Sequence, residues 1–229
     1  AYFEKELEYQ RLSLSFIPDE NSTSPLCAAI MGSVLVNTIR HFSYNRVEGL
    51  EPLAAKRICE LFKADHANVR PITIEAASRV VFQSLTRRGD VVMSLDLRKK
   101  EHCNSENLAY RFVNFGVDPQ SGKLDMDAVE KQAMECKPQL IIVSPINYPL
   151  SLDYERFADI AHKCGAILWC DISQTAGLIA GGVLPSPLPH ADVVTFSAHG
   201  AMQGPHSSVI LCSNKYASSI DRMAITAGH

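Results

Sequence analysis

The apolar residues of this chain follow two patterns that alternate along the sequence. Leu53, Ile58 and Leu61 recur at helical spacing with charged residues largely elsewhere, which predicts a helix over Leu50–Ala64. Leu140–Val143 is instead a short apolar run without polar alternation, as expected for a strand that is buried on both faces. The sequence therefore predicts both helices and buried strands.

The same two patterns, with the turn residues between them, predict the remaining elements. The predicted helices are Glu75–Arg87, Met126–Cys136 after an N-cap at Asp125, and Tyr154–Cys164 before a C-cap at Gly165. The predicted strands are Val91–Leu95, Tyr110–Phe115, Ala166–Cys170, Asp192–Phe196 and Ser207–Leu211. Because strands alternate with helices over short loops, we expect an α/β fold: a mostly parallel sheet with helices on both faces. No internal repeat or linker interrupts the pattern, so residues 1–229 are expected to form a single domain.

The composition excludes several classes of function. The chain has 22 basic and 25 acidic residues, a net charge of −3 and no basic stripe, so we expect neither nucleic acid nor an anionic membrane as a partner. Its longest apolar stretches, such as Ala176–Leu184, are far shorter than the ~20 residues of a membrane helix. The N-terminus is charged and lacks the apolar core of a signal peptide.

The cysteines indicate the cellular compartment. There are seven, widely spaced and without a Cys-x-x-Cys pair, so we expect buried free thiols and no metal site. Free thiols are typical of a reducing compartment. The predicted location is the cytoplasm or an organelle matrix, with mitochondria included.

Three polar residues follow predicted strands or lie in predicted loops, where ligands of parallel sheets bind. Asp171 ends the strand Ala166–Cys170, and it either caps the next turn or keeps a ligand's ring nitrogen protonated. His199 follows the next strand and is either structural or catalytic. His102 lies in a predicted loop and is either solvated or stacked on a planar ligand.

An ordered series of motifs from about Ile17 to Leu211 resembles the serine hydroxymethyltransferase family. The matching segments are residues 19–24, 32–37, 60–71, 89–97, 114–118, 137–142, Asp171 with 176–180, 187–195, and His199 with Gly204-Pro205. This resemblance implies the large domain of the aspartate-aminotransferase-like fold, pyridoxal phosphate as the cofactor, and assembly into dimers with shared sites. It also implies a smaller C-terminal domain beyond this point in the family, so we expect either that this domain is lost or that the sequence is a fragment truncated before it.

The resemblance assigns a role to five residues. Asp171 matches the acid that pairs with the pyridine nitrogen of the cofactor, and His102 matches the histidine that stacks on its ring. His199 matches the residue just before the cofactor-binding lysine, and Tyr148 matches a tyrosine on the loop after the strand Leu140–Val143. Glu20 matches the glutamate that handles protons near the substrate.

The chain departs from the family pattern at the positions that matter most for catalysis. Gly200 stands where the family has the Schiff-base lysine, so no covalent bond to the cofactor can form there. Thr73–Glu75 replaces the phosphate-binding turn, and a glutamate at a helix N-terminus repels a phosphate. The family's loop after Asn37 is not recognisable over residues 38–49. Other replacements are Asp19, Ile146, Gln174, Gln203 and His206.

These departures lead to three functional hypotheses. The first is a non-catalytic relative that acts as a scaffold or regulatory subunit of a protein assembly, since fold does not guarantee activity. The alternative is a serine/glycine hydroxymethyltransferase or related enzyme that binds pyridoxal phosphate non-covalently. Lys99 and Lys100 either supply a replacement amine from a loop or form a solvated basic turn. The third is a binding module for an amino acid or cation, in which Glu75 holds an ammonium group.

Overall fold

A computed structural model describes residues 2–17, 20–34, 49–95, 110–144 and 148–228 of the chain. Its helices are α1 (Tyr2–Leu12), α2 (Pro25–Met31), α3 (Leu50–Phe62), α4 (Ile74–Leu85), α5 (Met126–Cys136), α6 (Tyr154–Cys164), α7 (Ala176–Ala180) and α8 (Asn214–Ala227). Its strands are β1 (His66–Asn68), β2 (Val91–Leu95), β3 (Arg111–Phe115), β4 (Leu140–Val143), β5 (Ile167–Asp171), β6 (Val193–Ser197) and β7 (Ser208–Cys212). A short 3-10 turn covers Gly200–Met202.

These seven strands form one mixed sheet in the order β1-β7-β6-β5-β4-β2-β3. The pairs from β6 through β5, β4 and β2 to β3 are parallel, whereas β7 is antiparallel to both β6 and β1. The predicted α/β fold with a mostly parallel sheet is therefore confirmed. Parallel pairing places the carboxyl ends of β4, β5 and β6 at the same edge of the sheet.

The side chains of each strand alternate between two cores, one on each face of the sheet. On β4, Ile141 and Val143 face the core formed with α3, α5 and α6, whereas Leu140 and Ile142 face the core formed with α4 and α8. Trp169 of β5 is fully buried in this second core. The prediction of helices on both faces is thus confirmed, and double burial explains the unbroken apolar run of β4.

The helix boundaries follow local capping chemistry. The Asp125 carboxylate accepts hydrogen bonds from the backbone of Asp127 and Ala128 and starts α5 where the sequence predicted. Gly165 adopts φ +77° and ends α6 at the predicted residue. The predicted end of α3 at Ala64 was wrong by two residues, because Lys63 adopts the left-handed conformation, φ +56°, and closes the helix at Phe62.

Other predicted bounds were close to the observed ones. Strands β5, β6 and β7 each lie one residue further along than predicted, and α4 ends at Leu85 where the prediction ended at Arg87. Helices α1, α2, α7 and α8 and the three-residue β1 were not predicted. Within the ranges that the structure describes, no helix is both long and apolar enough to cross a membrane.

Candidate functional site

A buried chain of hydrogen bonds links β5 and β6 at their carboxyl ends. The parallel register places Asp171 beside Thr195. The Thr195 hydroxyl donates a 2.7 Å hydrogen bond to the Asp171 carboxylate and accepts a 2.9 Å bond from the indole of Trp169. The other Asp171 oxygen accepts the backbone N–H of Ser173 at 3.1 Å. Asp171 is only 2% exposed, so the protein itself satisfies both oxygens of a buried carboxylate.

Two side chains from other segments form hydrogen bonds with the end of β6 and the turn that follows it. On one side, the Ser173 hydroxyl accepts the backbone N–H of Ser197 at 3.1 Å. On the other, the Asn21 side-chain amide donates to the Gly200 carbonyl at 3.2 Å. Gly200 itself adopts φ +66°, a left-handed conformation that favours glycine over residues with a side chain. The backbone at residue 200 therefore has a conformation that suits the glycine found there.

Two histidines pack face to face next to this turn. The rings of His199 and His206 have centroids 3.9 Å apart and planes inclined by 25°. The Nδ1 atom of His199 is buried and has no hydrogen-bond partner in the described part of the chain, and the same holds for the Ser144 hydroxyl just after β4. Buried polar atoms without partners are rare, so a bound molecule or water that reached either atom would gain a hydrogen bond there.

Two glycines allow the turn to approach its neighbours closely. A Cβ atom on Gly177 of α7 would lie 2.2 Å from the carbonyl oxygen of Ala201, and one on Gly204 would lie 2.6 Å from that of Ala198. Both distances are shorter than any non-bonded contact that a protein tolerates. The closeness of α7 to the turn therefore depends on the absence of a side chain at residue 177.

The first turn of α4 contains Thr73–Glu75, the residues that the resemblance matches to the family's phosphate-binding turn. Thr73 is the N-cap, and its hydroxyl accepts the backbone N–H of Ala76 at 3.1 Å. The Thr73 carbonyl accepts the hydroxyl of buried Ser208 at 2.7 Å. Glu75 lies exposed in this first turn. One of the helix N–H groups is thus already bonded, and an acidic side chain stands beside the others.

The remaining predicted site residues lie in different surroundings. The Tyr148 hydroxyl accepts the backbone N–H of Leu124 at 3.4 Å, and its side chain lines an open cavity of about 260 Å³ with Lys123 and Met126. Glu20 is exposed, and its carboxylate accepts the hydroxyl of Ser15. Their catalytic roles stay predictions.

Several residues of the sequence analysis lie outside the described residues. They are His102, Lys99, Lys100, Asp19, Ile146 and residues 38–48. The structure therefore does not test the predicted stacking of His102 on a cofactor ring or the replacement amine.

A comparison with known protein families shows to which family the chain belongs. The family model described as serine hydroxymethyltransferase matches residues 1–226, which is nearly the whole chain. The chain belongs to the serine hydroxymethyltransferase family. Its seven-stranded, mostly parallel sheet is consistent with the large domain of that family, whose members use pyridoxal phosphate and are typically oligomeric.

The described residues do not fit a covalently held pyridoxal phosphate. Asp171 is a carboxylate at a strand end, and it suits the ring nitrogen of the cofactor. Gly200, however, carries no amine. At the start of α4, which the resemblance matches to the phosphate-binding turn, the Thr73 hydroxyl already bonds one backbone N–H group, and Glu75 adds a negative charge that disfavours a phosphate. No reaction step through a covalent adduct at residue 200 can be derived from these residues.

Sequence reasoning missed three residues that hold the site together. Thr195 and Trp169 were predicted to lie in strands but not to belong to a site. Their hydrogen bond joins neighbouring strands, and it depends on a strand register that the sequence does not show. Asn21 was noted only within a motif, although its amide reaches a carbonyl 179 residues away in sequence. A polar Thr195 between the apolar Val194 and Phe196 was a signal for the first pair.

Proposed function

We propose that this chain is a non-catalytic member of the serine hydroxymethyltransferase family that acts as a scaffold or regulatory subunit of a protein assembly. The observation that carries the proposal is Gly200. It follows His199 where the family has its Schiff-base lysine, and its φ of +66° suits a residue without a side chain. Without an amine there, the cofactor cannot be attached at this position.

The hydrogen bonding of Asp171 supports the same proposal. Thr195 and Ser173 bond its two oxygens, and Thr195 in turn satisfies the buried indole of Trp169. A buried carboxylate with these partners contributes to the fold whether or not a ligand is present. These hydrogen bonds therefore give Asp171 a structural role that does not require catalysis.

The assembly role is supported by the apolar surface near the N-terminus. Large apolar side chains of α1, α2 and the segment between them are exposed, among them Phe3, Phe16 and Leu26. A segment whose large apolar side chains are this exposed is typical of one that contacts another protein. A cytoplasmic or organelle-matrix location stays a prediction from the cysteine pattern.

Two measurements on the purified chain test this proposal. Titration with pyridoxal phosphate should give no saturable change in absorbance, and serine with tetrahydrofolate should give no glycine above a heat-inactivated control. Co-purification with a catalytically competent member of the family should show whether that protein is the partner. Turnover of serine by the chain alone would overturn the proposal.

The second candidate function is a serine/glycine hydroxymethyltransferase or related amino-acid enzyme that holds pyridoxal phosphate without a covalent bond. It is favoured by Ser144 and His199, whose buried polar atoms lack partners among the described residues at the carboxyl ends of β4 and β6. Three results together would favour this candidate over the first. Titration with pyridoxal phosphate would give a saturable absorbance change, Asp171→Asn would weaken that binding, and borohydride would trap no covalent adduct.

A further inference from the structure

Four basic residues lie on neighbouring turns at the amino-terminal edge of the sheet. Arg87 and Arg88 are in the turn between α4 and β2, Arg111 is the first residue of β3, and Lys137 follows α5 shortly before β4. Strands β4, β2 and β3 are adjacent in that order and run parallel, so their amino ends share one edge. All four residues are exposed. They are called here the basic edge.

Hydrogen bonds hold these turns against one another. The Asp90 carboxylate accepts the backbone N–H of Arg87 at 2.7 Å, and the Asp90 carbonyl accepts the backbone N–H of Arg111 at 3.0 Å. The backbone N–H of Gln139 donates to the Val91 carbonyl at 2.8 Å and joins the turn before β4 to the same edge. The basic residues therefore extend from backbone segments that are fixed relative to one another.

The charge of Arg111 reaches the end of α5. Burial is the largest influence on the Cys136 thiol and raises its pKa, whereas the positive charge of Arg111 opposes this rise. Cys136 is the last residue of α5 and directly precedes Lys137. The cations of β3 and of the turn after α5 thus belong to one charged surface.

The fold makes little use of these cations. Within the ranges that the structure describes, none of the four side chains forms an ion pair, whereas Arg156 and Lys163 on nearby α6 both bond Glu130. A cation at a helix C-terminus is favoured by the helix dipole, which accounts for Lys137. The dipole does not account for Arg111, which begins a strand. The basic edge is therefore available to an anionic partner.

Acidic residues beside the cations favour a protein as that partner. Asp90 lies between the two arginine-bearing turns, and exposed Glu135 precedes Lys137 by two positions. A lipid surface or a nucleic-acid backbone presents negative charge continuously, so it would also meet these carboxylates, and the whole chain has a net charge of −3. A protein segment can instead place single carboxylates opposite arginines, whose guanidinium groups bind them in a bidentate fork.

We infer that the basic edge is a docking surface for an acidic segment of a partner protein. The inference rests on the assembly part of the proposed function, for which it names the chemistry of the partner. Because parallel strands begin at one edge and end at the other, this surface lies opposite the candidate site at the carboxyl ends of β4, β5 and β6. A docked partner would therefore leave those strand ends uncovered.

The test is the fluorescence anisotropy of a labelled peptide of alternating glutamate and serine, titrated with the full chain at low ionic strength. We expect saturable binding that weakens as salt is added, because salt screens exposed charges. The double variant Arg88→Gln, Arg111→Gln should weaken binding about tenfold, the combined effect of two exposed ion pairs. The matched control is Arg57→Gln, Arg222→Gln, which removes the same charge from exposed arginines of α3 and α8 and should leave the affinity nearly unchanged.

Circular dichroism checks that both double variants are folded. The inference would be overturned by three results: no saturable binding, equal binding of a peptide with glutamine in place of glutamate, or equal weakening in the control variant. Tighter binding of phosphatidylserine vesicles or single-stranded RNA through Arg88 and Arg111 would also overturn it. The peptide titration contains no serine or cofactor, so its failure leaves the absence of catalysis untouched. Turnover of serine by the chain would overturn the proposed function and leave a measured peptide site in place.

Discussion

The hydroxyl of Thr195 lies 2.7 Å from the Asp171 carboxylate and donates a hydrogen bond to it, while it accepts another from the Trp169 indole. All three residues are at most 2% exposed. The hydroxyl therefore satisfies a charged group and an aromatic N–H that water cannot reach, and it joins two neighbouring strands where the candidate site begins.

Replacing Thr195 with valine should destabilise the chain strongly. Thr195→Val keeps the shape of the side chain but leaves the Trp169 N–H without its partner and one Asp171 oxygen without its donor, which should cost about 3 kcal/mol. The matched control is Thr195→Ser, which keeps the hydroxyl and removes only a buried methyl group. This loss should lower the free energy of unfolding by about 1 kcal/mol. Urea unfolding of both variants measures the difference, and equal losses would argue against the hydrogen-bond chain.

A side chain at residue 177 should disturb the turn after β6. In Gly177→Ala the new Cβ would lie 2.2 Å from the Ala201 carbonyl oxygen, so α7 or the turn must move, at an expected cost of about 2 kcal/mol. Gly32→Ala is the control, because Gly32 has φ −91° and its Cβ would meet atoms no closer than 3.7 Å. Thermal unfolding should separate the two variants, and a neutral Gly177→Ala would contradict the close approach.

An ion-pair cluster between α5 and α6 should make stability depend on pH. The Lys163 ammonium lies 2.8 Å from the Glu130 carboxylate, and Arg156 also bonds it. The hydrogen bond from Lys163 is the largest influence on the pKa of Glu130. Together with the charges of Arg156 and Lys163 it outweighs the opposing effect of burial and lowers this pKa below its ordinary 4.5. A lowered folded pKa gives stability that is present above pH 4.5 and lost as the pH falls through the lower value.

Glu130→Gln should therefore have a lower free energy of unfolding than the unchanged chain at pH 7. This difference in free energy should disappear in strongly acidic solution, where Glu130 is protonated. Urea unfolding at a series of pH values measures this gap. Glu135→Gln, a change at an exposed acid of the same helix, serves as the control and should show no such closing. A gap that stays constant with pH would count against the ion pairs.

Two buried cysteines should resist alkylation in the folded chain. Burial, with the nearby Asp221 second, raises the pKa of the Cys212 thiol to about 12, and burial beside Asp171 also raises that of Cys170. Because the thiolate is the reactive form, iodoacetamide at pH 8 should label Cys27, which is half-buried, well before either of them. Peptide mass spectrometry reads the labels, and urea should abolish the difference. Labelling of Cys212 in the folded chain as fast as Cys27 would contradict its burial.

The elements predicted with correct bounds have strong local signals. The bounds of β2, β4, α5 and α6 were correct, because apolar runs and caps such as Asp125 and Gly165 determine them within a few residues. Strand β1 was missed, since three residues give no period and its pairing with β7 is a long-range contact.

The candidate site was predicted only in part for the same reason. Asp171 and His199 were identified by their place after strands. The partners of Asp171, and the bond from Asn21 to Gly200, depend on strand register and on contacts between distant segments, which no local pattern encodes. The left-handed backbone conformation of Gly200 likewise follows from the structure and not from the sequence.

The central claim, that this chain holds no cofactor through a Schiff base, is tested most directly by borohydride reduction after incubation with pyridoxal phosphate. Peptide mass spectrometry then locates every modified lysine, with the urea-unfolded chain as the control. We predict the same scattered, low modification in the folded and unfolded chains. A near-stoichiometric adduct on one lysine, such as Lys99 or Lys100, that forms only in the folded chain would contradict the account.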